Sequence, residues 1–178
     1  LRRRAKKINF GIIYGISPFG LAKQLKCSNT EAKEFIDSYF RRFPNIKEYM
    51  ETIKKQLYGD GFVETLFGRK IYINNSVSNN QNIKLFAERQ AINAPIQGTA
   101  ADIIKFAMVN LKNNFNLNET KILLQVHDEL VFEVSKNKLD KSIQSIKQIM
   151  ETANLPMKPL QVKLKVDYGY AKNWAKAH

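Results

Sequence analysis

The spacing of apolar positions predicts that residues 1–60 are almost entirely helical. Four helices are predicted, over residues 1–14, 17–26, 28–42 and 44–59. Ser28, with Glu31 three residues later, has the pattern of a capping box at the start of the third helix. Pro44 favours the first turn of the fourth helix, and Gly59 is the glycine expected after its C-terminal end.

A small hairpin and a second helical segment are predicted next. Residues 62–66 and 70–73 are short apolar runs on either side of Phe67-Gly68-Arg69, which is typical of a tight hairpin. An Asn- and Ser-rich surface loop follows over residues 74–82. Helices are then predicted over residues 83–94 and 97–114, with a break or kink at Pro95.

A second hairpin is predicted from two β-branched and aromatic runs, residues 122–126 and 130–134. His127, Asp128 and Glu129 lie between the runs, at the predicted tip. A helix to about Ala153, capped by Ser135 or Asn137, and a strand over residues 160–166 that pairs with this hairpin complete the prediction. The mixture of helices and antiparallel strands indicates an α+β fold.

The charge distribution changes this picture, because the chain of 178 residues has a net charge of +13 that is unevenly spread. Residues 1–95 have a net charge of +9 and residues 96–178 a net charge of +4, and five of the first seven residues are Arg or Lys. Such an excess indicates a polyanionic partner: nucleic acid, nucleotide phosphates or an acidic membrane surface. Lysine enrichment for solubility explains the second half but not the basic start.

The first predicted helix has cations and aromatic rings on one face. Arg2, Lys6, Phe10 and Tyr14 are each four residues apart and therefore lie on one stripe. Two cations followed by two aromatic rings can hold phosphates and stack a base. Alternatively, Phe10 and Tyr14 are core residues and the cations a solvated end.

Two other clusters of polar residues are candidates for binding. Arg89, Asn93 and Gln97 form a second stripe of the same spacing, which suits contacts with base edges in a DNA minor groove. At the tip of the second hairpin, Asp128 and Glu129 repel each other unless a cation such as a divalent metal lies nearby. The alternatives are a solvated helix face and a solvated turn.

Other kinds of site are excluded by composition. The lone Cys27 excludes an internal disulfide or a cysteine-based zinc site, and the two histidines are too few for a histidine-rich phosphohydrolase site. Neither phosphate-binding glycine motif is present, and no Ser-His-Asp arrangement is indicated. No apolar run approaches the ~18 residues of a membrane span. The remaining chemistry is metal-assisted reaction at a phosphate ester.

Five segments, in order, resemble those of family A DNA polymerases. They are residues 2–15 with the pattern RxxxKxxxFxxxYG, 65–69 (TLFGR), 89–102 (RQAINAPIQGTAAD), 125–129 (QVHDE) and the closing residues 173–178. The resemblance spans almost the whole chain. It implies a fingers part over residues 1–94, with a nucleotide-binding helix at 1–15, and part of the palm over 95–178.

The resemblance also implies the site residues. Arg2 and Lys6 would hold the triphosphate of a dNTP, Phe10 its sugar and base, and Tyr14 with Gly15 the nascent base pair. Asp128 would bind the catalytic Mg²⁺ ions. The other implied positions are Glu129 and Lys6 as catalytic residues, and Arg89, Asn93, Gln97, Gln125 and His127 as contacts with primer–template DNA.

One implied residue of the family is missing from the sequence. The second metal-binding aspartate of the family lies in a DYSQIE-type strand motif that no segment here matches. We therefore expect a cut piece of a longer soluble protein, cytoplasmic at the bacterial nucleoid or organellar, which alone does not polymerise DNA. The alternatives are a non-catalytic module that binds DNA or nucleotides and part of a single-subunit RNA polymerase.

Overall fold

The computed structural model describes residues 2–74, 78–115, 119–155 and 158–177, with side chains from residue 8 onward. Its helices are α1 (Arg2–Ile13), α2 (Pro18–Leu25), α3 (Asn29–Arg42), α4 (Pro44–Asp60), α5 (Gln81–Asn114) and α6 (Leu139–Glu151), with 3₁₀ turns at Lys136–Lys138 and Trp174–Lys176. Its strands are β1 (Phe62–Glu64), β2 (Lys70–Tyr72), β3 (Thr120–Val126) and β4 (Glu129–Val134). The predicted α+β class is confirmed.

The chain divides into two compact units, residues 1–98 and 99–178. In the first unit, β1 pairs antiparallel with β2, and in the second β3 pairs antiparallel with β4. Within the described ranges, no helix is both long and apolar enough to cross a lipid bilayer.

The first unit has two apolar clusters. One joins α4, β1 and α5, and its buried members are Met50, Ile53, Leu57, Val63, Ala91 and Ile92. The other joins α2 and α3 through Leu21, Ala22 and Ala32, with Ile8 of α1 packed against it. On α3, Ile36 and Phe40 pack against these clusters, whereas Phe35 is exposed.

Helices α2 and α3 both begin at a serine whose side chain caps the first turn. The Ser17 hydroxyl accepts a hydrogen bond from Gly20 N at 3.1 Å. Ser28 and Glu31 form the predicted capping box: Glu31 N donates to Ser28 Oγ at 3.2 Å, and Ser28 N donates to Glu31 Oε2 at 2.9 Å. The bond from Ser28 N and a second one from the Ser28 hydroxyl, at 2.8 Å, both end on this carboxylate, favour its charged form and lower the pKa of Glu31.

Two helix boundaries differ from the prediction. α4 continues through Gly59 and ends at Gly61, which has φ +73° and donates from its N to Leu57 O at 3.0 Å. Gly61, in the left-handed conformation, and not Gly59, is therefore the glycine that caps the helix. For α6, neither Ser135 nor Asn137 caps the helix through its side chain; Lys138 occupies the N-cap position without a side-chain hydrogen bond.

Of the break or kink predicted at Pro95, the break was wrong, because α5 is one helix from Gln81 to Asn114. Proline removes one N–H donor, but the bonds on either side remain. Ala91 and Ile92, in the turn before Pro95, are buried against α4 and β1, and Pro95 itself is buried. This packing compensates for the missing backbone bond.

The predicted strand over residues 160–166 was also wrong. No strand is assigned there, and the sheet formed by β3 and β4 has two strands in the described part of the chain. Val166 N instead donates to Glu151 Oε1 of α6 at 3.0 Å. The segment with alternating apolar residues is therefore bonded to a side chain of a helix. The period-two pattern of the sequence did not distinguish this arrangement from a strand.

Candidate functional site

The aromatic half of the first predicted stripe is formed at the end of α1. The rings of Phe10 and Tyr14 stack with centroids 5.9 Å apart and planes inclined by 24°. Phe10 is 44% exposed, so it is not the core residue of the alternative interpretation. Arg2 and Lys6 lie in the same helix, and their side chains lie outside the described residues.

Gly15 follows the end of α1 and packs against α5. It has φ +72°, a conformation that favours glycine, and its N donates to Ile12 O at 2.9 Å. A Cβ at this position would lie 3.2 Å from Cγ of Arg89 and 4.0 Å from Cδ1 of Ile92. The structure thus brings the first predicted stripe next to the first residue of the second stripe.

Two of the three residues of the second stripe border a cleft of about 560 Å³ between the β2 region and the first half of α5, and Arg89 is not in its lining. Asn93 and Gln97 line this cleft, and the exposed rings of Tyr72 and Phe86 lie at its sides. Within the described ranges, the buried Oδ1 of Asn93 has no hydrogen-bond partner. A cleft with amides and aromatic rings can bind base edges and stack against bases.

Helix α4 holds α5 in place beside this cleft. The Tyr49 hydroxyl donates to Ile92 O at 2.9 Å, and burial raises the pKa of Tyr49 to about 12. The Tyr58 hydroxyl donates to Glu88 Oε1 at 2.5 Å, and burial together with this charged acceptor raises the pKa of Tyr58 to about 12. Both hydroxyls remain protonated donors at neutral pH.

The turn between β1 and β2, here called the 65–69 loop, is tightly closed. Thr65 Oγ1 accepts from Phe67 N at 3.3 Å and from Arg69 N at 3.2 Å, and Gly68 has φ +79°. Arg69 Nη2 donates to Gly98 O of α5 at 3.1 Å. The sequence interpretation gave these residues no role; their occurrence in a family-like segment was the only signal.

The tip of the second hairpin is a two-residue turn. His127 has φ +53°, and Gln125 Nε2 donates to its carbonyl oxygen at 2.7 Å. Glu129 is the first residue of β4 and pairs with Val126, so it flanks the turn at the tip. The β-ladder extends to this pair, which leaves only His127 and Asp128 in the turn.

The carboxylates of the tip fit part of a magnesium site. Asp128 and Glu129 are both exposed, and carboxylate oxygens are ligands that Mg²⁺ prefers. Mg²⁺ is often bound by one or two carboxylates together with water and substrate phosphates. No group of three or more His, Cys, Asp or Glu side chains placed to hold a metal ion occurs among the described residues. The tip therefore has two exposed carboxylates of the chemical type that Mg²⁺ prefers.

The sequence model of DNA polymerase family A matches residues 1–176. The chain belongs to DNA polymerase family A. This membership confirms the resemblance drawn from the five segments, and the alternative of a single-subunit RNA polymerase was wrong.

Relatives of known name agree with this membership. The chain is 48% identical over 182 residues to DNA polymerase I of Rhizobium leguminosarum, and the alignment covers 100% of this chain and 18% of that protein. It is 47% identical over 178 residues to DNA polymerase I of Bacillus caldotenax, with 98% of this chain and 20% of that protein covered. The chain thus spans about a fifth of the length of these family A polymerases.

A solved structure of similar fold is the POL domain of Pol1 from M. smegmatis in complex with DNA primer-template and dNTP. The TM-score is 0.90 at 42% sequence identity, and the match covers 99% of this chain and 31% of that chain. The fold described above is therefore that of part of a family A polymerase domain.

Proposed function

We propose that this chain is part of a DNA-directed DNA polymerase that adds dNTPs to the 3′ end of a primer on a DNA template. Residues 1–94 belong to the fingers of this enzyme and residues 95–178 to its palm. The contact between Gly15 and Arg89 carries the proposal, because it joins the aromatic end of α1 to the polar stripe beside the cleft. The relatives named DNA polymerase I support it.

The incoming dNTP binds along α1 in this proposal. Arg2 and Lys6 neutralise the triphosphate, which has several negative charges. The exposed Phe10 ring packs against the sugar and base, and Tyr14, stacked on Phe10, borders the nascent base pair together with Gly15. Charge at one end of the helix and rings at the other therefore match the two ends of a nucleotide.

Primer–template DNA binds along the stripe of Arg89, Asn93 and Gln97. Both edges of a base pair present acceptors in the minor groove, and these accept hydrogen bonds from guanidinium and amide N–H groups. Arg89 Nε donates to Leu85 O at 3.2 Å, which fixes part of its side chain along α5. The excess of cations in residues 1–95 adds sequence-independent attraction to the phosphates.

The tip of the second hairpin is the proposed site of the chemistry. Asp128 would hold the two Mg²⁺ ions together with other groups of the polymerase, and Glu129 would support it. When bound, Mg²⁺ stabilises the charge that develops as the primer 3′-hydroxyl attacks the α-phosphate and pyrophosphate leaves. His127 lies near the primer terminus in this proposal, and Gln125 holds the turn through the carbonyl of His127.

The test is template-directed incorporation by the polymerase that contains this chain. Each templating base is offered with each dNTP and with the matching ribonucleotide. We expect extension only with the complementary dNTP. Incorporation that ignores the template base, or equal use of ribonucleotides, would contradict the proposal.

The 178-residue chain by itself is a separate case. We expect it to bind primer–template DNA with a strong dependence on salt but to incorporate no nucleotide, as a non-catalytic module would. We also propose that the whole polymerase is located in the cytoplasm at the bacterial nucleoid, or in an organelle. Incorporation by the purified chain would contradict the expected inactivity and leave the polymerase assignment intact.

A further inference from the structure

The 65–69 loop is built as a rigid unit, and its last residue contacts α5. Besides the two bonds to the Thr65 hydroxyl, Thr65 N donates to Arg69 O at 3.0 Å, and Gly68 N donates to Thr65 O at 3.0 Å. Thr65 is only 5% exposed. The hydrogen bonds within the loop therefore fix the backbone of Arg69, and its guanidinium extends from there to the carbonyl of Gly98.

The hairpin of β1 and β2 also packs closely against α5. A Cβ at Gly98 would lie 2.7 Å from Cδ1 of Ile71, 2.7 Å from Cγ2 of Thr65 and 3.2 Å from Nη2 of Arg69. Such distances leave no room for a side chain. The hairpin thus rests directly on the backbone of α5, and the charged hydrogen bond from Arg69 to Gly98 joins the two elements.

The contact between Arg69 and Gly98 lies beside the cleft. Gln97 precedes Gly98 in the chain, and Asn93 lies about one helical turn earlier. Ile71 and Tyr72 of β2 also line the cleft. The bond from Arg69 to Gly98 therefore joins the hairpin that carries one part of the lining to the helix that carries another part.

We propose that Arg69, held by Thr65, is a positioning residue that sets Asn93 and Gln97 for their contacts with DNA. This inference rests on the proposed function of the cleft. The competing explanation is that Arg69 binds a DNA phosphate directly, as a cation near DNA often does. The two explanations differ in the salt dependence of binding and in coupling to Asn93.

The first experiment measures the dissociation constant of primer–template DNA for the polymerase that contains this chain, as a function of salt. The test variant is Arg69→Met, and Lys70→Met is the matched control, because it removes the same charge from the next residue. The Lys70 ammonium lies 4.4 Å from the centre of the Phe62 ring. A cation that contacts one phosphate contributes a slope of about −0.9 to the plot of log K against log salt.

We expect Arg69→Met to raise the dissociation constant by about tenfold, as for a lost hydrogen bond with a charged donor, without changing the salt slope. We expect Lys70→Met to raise it by less than about threefold, since a general charge effect is weak. A slope reduced by about one in Arg69→Met, or an equal effect of Lys70→Met, would overturn the inference.

The second experiment tests coupling to the cleft. If Arg69 positions Asn93, then Asn93→Ala weakens DNA binding less in the Arg69→Met background than in the wild-type background. Effects that simply multiply would overturn the inference. An unchanged dissociation constant in Arg69→Met, combined with weaker binding by Asn93→Ala, overturns only the role of Arg69. If Asn93→Ala has no effect in the wild-type background, the proposed DNA-binding role of the cleft fails as well.

Two further variants alter the same contact, and their DNA binding is compared only after their folding has been verified. Arg69→Lys keeps the charge and a donor, and we expect it to recover part of the binding lost in Arg69→Met. Gly98→Ala disturbs the same contact from the other side, and we expect it to weaken DNA binding without changing the salt slope. Far-ultraviolet circular dichroism and the melting temperature verify the fold of each variant. Full DNA binding by a folded Gly98→Ala variant would contradict the inference.

Discussion

The backbone of Gly15 lies against the side chain of Arg89, so that a Cβ on Gly15 would approach Cγ of Arg89 to 3.2 Å. Gly15 is also in the left-handed region, at φ +72°. Two requirements therefore fall on one residue: a backbone conformation that side chains disfavour and a neighbour that leaves little space. The contact joins the nucleotide side of the proposed site to its DNA side.

We expect Gly15→Ala to lower the free energy of unfolding by about 1–2 kcal/mol, because the left-handed conformation is strained for alanine. It should also weaken DNA binding, since Arg89 must move. Gly11→Ala is the control, because Gly11 lies inside α1 and a Cβ there would lie 3.4 Å from Ile16. Chemical denaturation and DNA titration measure both effects. Equal stability of the two variants would contradict the explanation.

The two glycines near the end of α4 give a matched pair. Gly61 has φ +73°, whereas Gly59 lies within the helix, and a Cβ at either position meets no atom within 4 Å. Gly61→Ala should therefore destabilise the protein by about 1 kcal/mol through backbone strain alone. Gly59→Ala should stabilise it by up to ~1 kcal/mol through helix propensity. Thermal melts of both variants measure these changes in stability. If Gly61→Ala were more stable than Gly59→Ala, the helix would end at Gly59.

The hydrogen bond from Tyr49 to Ile92 predicts a pH-dependent stability. Tyr49→Phe should cost about 1 kcal/mol at pH 8, where the hydroxyl donates. Because burial raises the pKa of Tyr49 to about 12, the folded state disfavours the tyrosinate.

The contribution is complete below the unfolded pKa of about 10 and is lost as the pH rises towards 12. The difference between wild type and Tyr49→Phe should therefore shrink above pH 10. Urea denaturation at pH 8 and pH 11 measures it, with Tyr72→Phe, at an exposed ring, as the control. A difference that is constant with pH would contradict the role of burial.

Asp128 is the carboxylate on which the proposed chemistry depends. In the polymerase that contains this chain, we expect Asp128→Ala to lower the rate of primer extension by ~10³-fold, since metal-based charge stabilisation contributes several kcal/mol. Asp140→Ala, which removes another exposed carboxylate in the first turn of α6, should leave the rate nearly unchanged. Near-normal extension by Asp128→Ala would remove this residue from the metal site.

Local features of the fold followed from the sequence because they involve residues a few positions apart. The caps at Ser17 and Ser28, the small hairpin and the helical stripes depend on spacings of two to four residues. The order of the family segments indicated the family, which the comparisons confirmed. The roles of the individual site residues stay predictions.

Contacts between distant segments were decided only by the tertiary structure. The continuity of α5 at Pro95 depends on packing against α4 and β1. The contacts of Gly15 with Arg89 and of Arg69 with Gly98 join residues far apart in the chain. The sequence determined which residues share a face, because helix and strand periodicity is local. Which faces meet depends on how the elements pack together, and no short pattern contains that information.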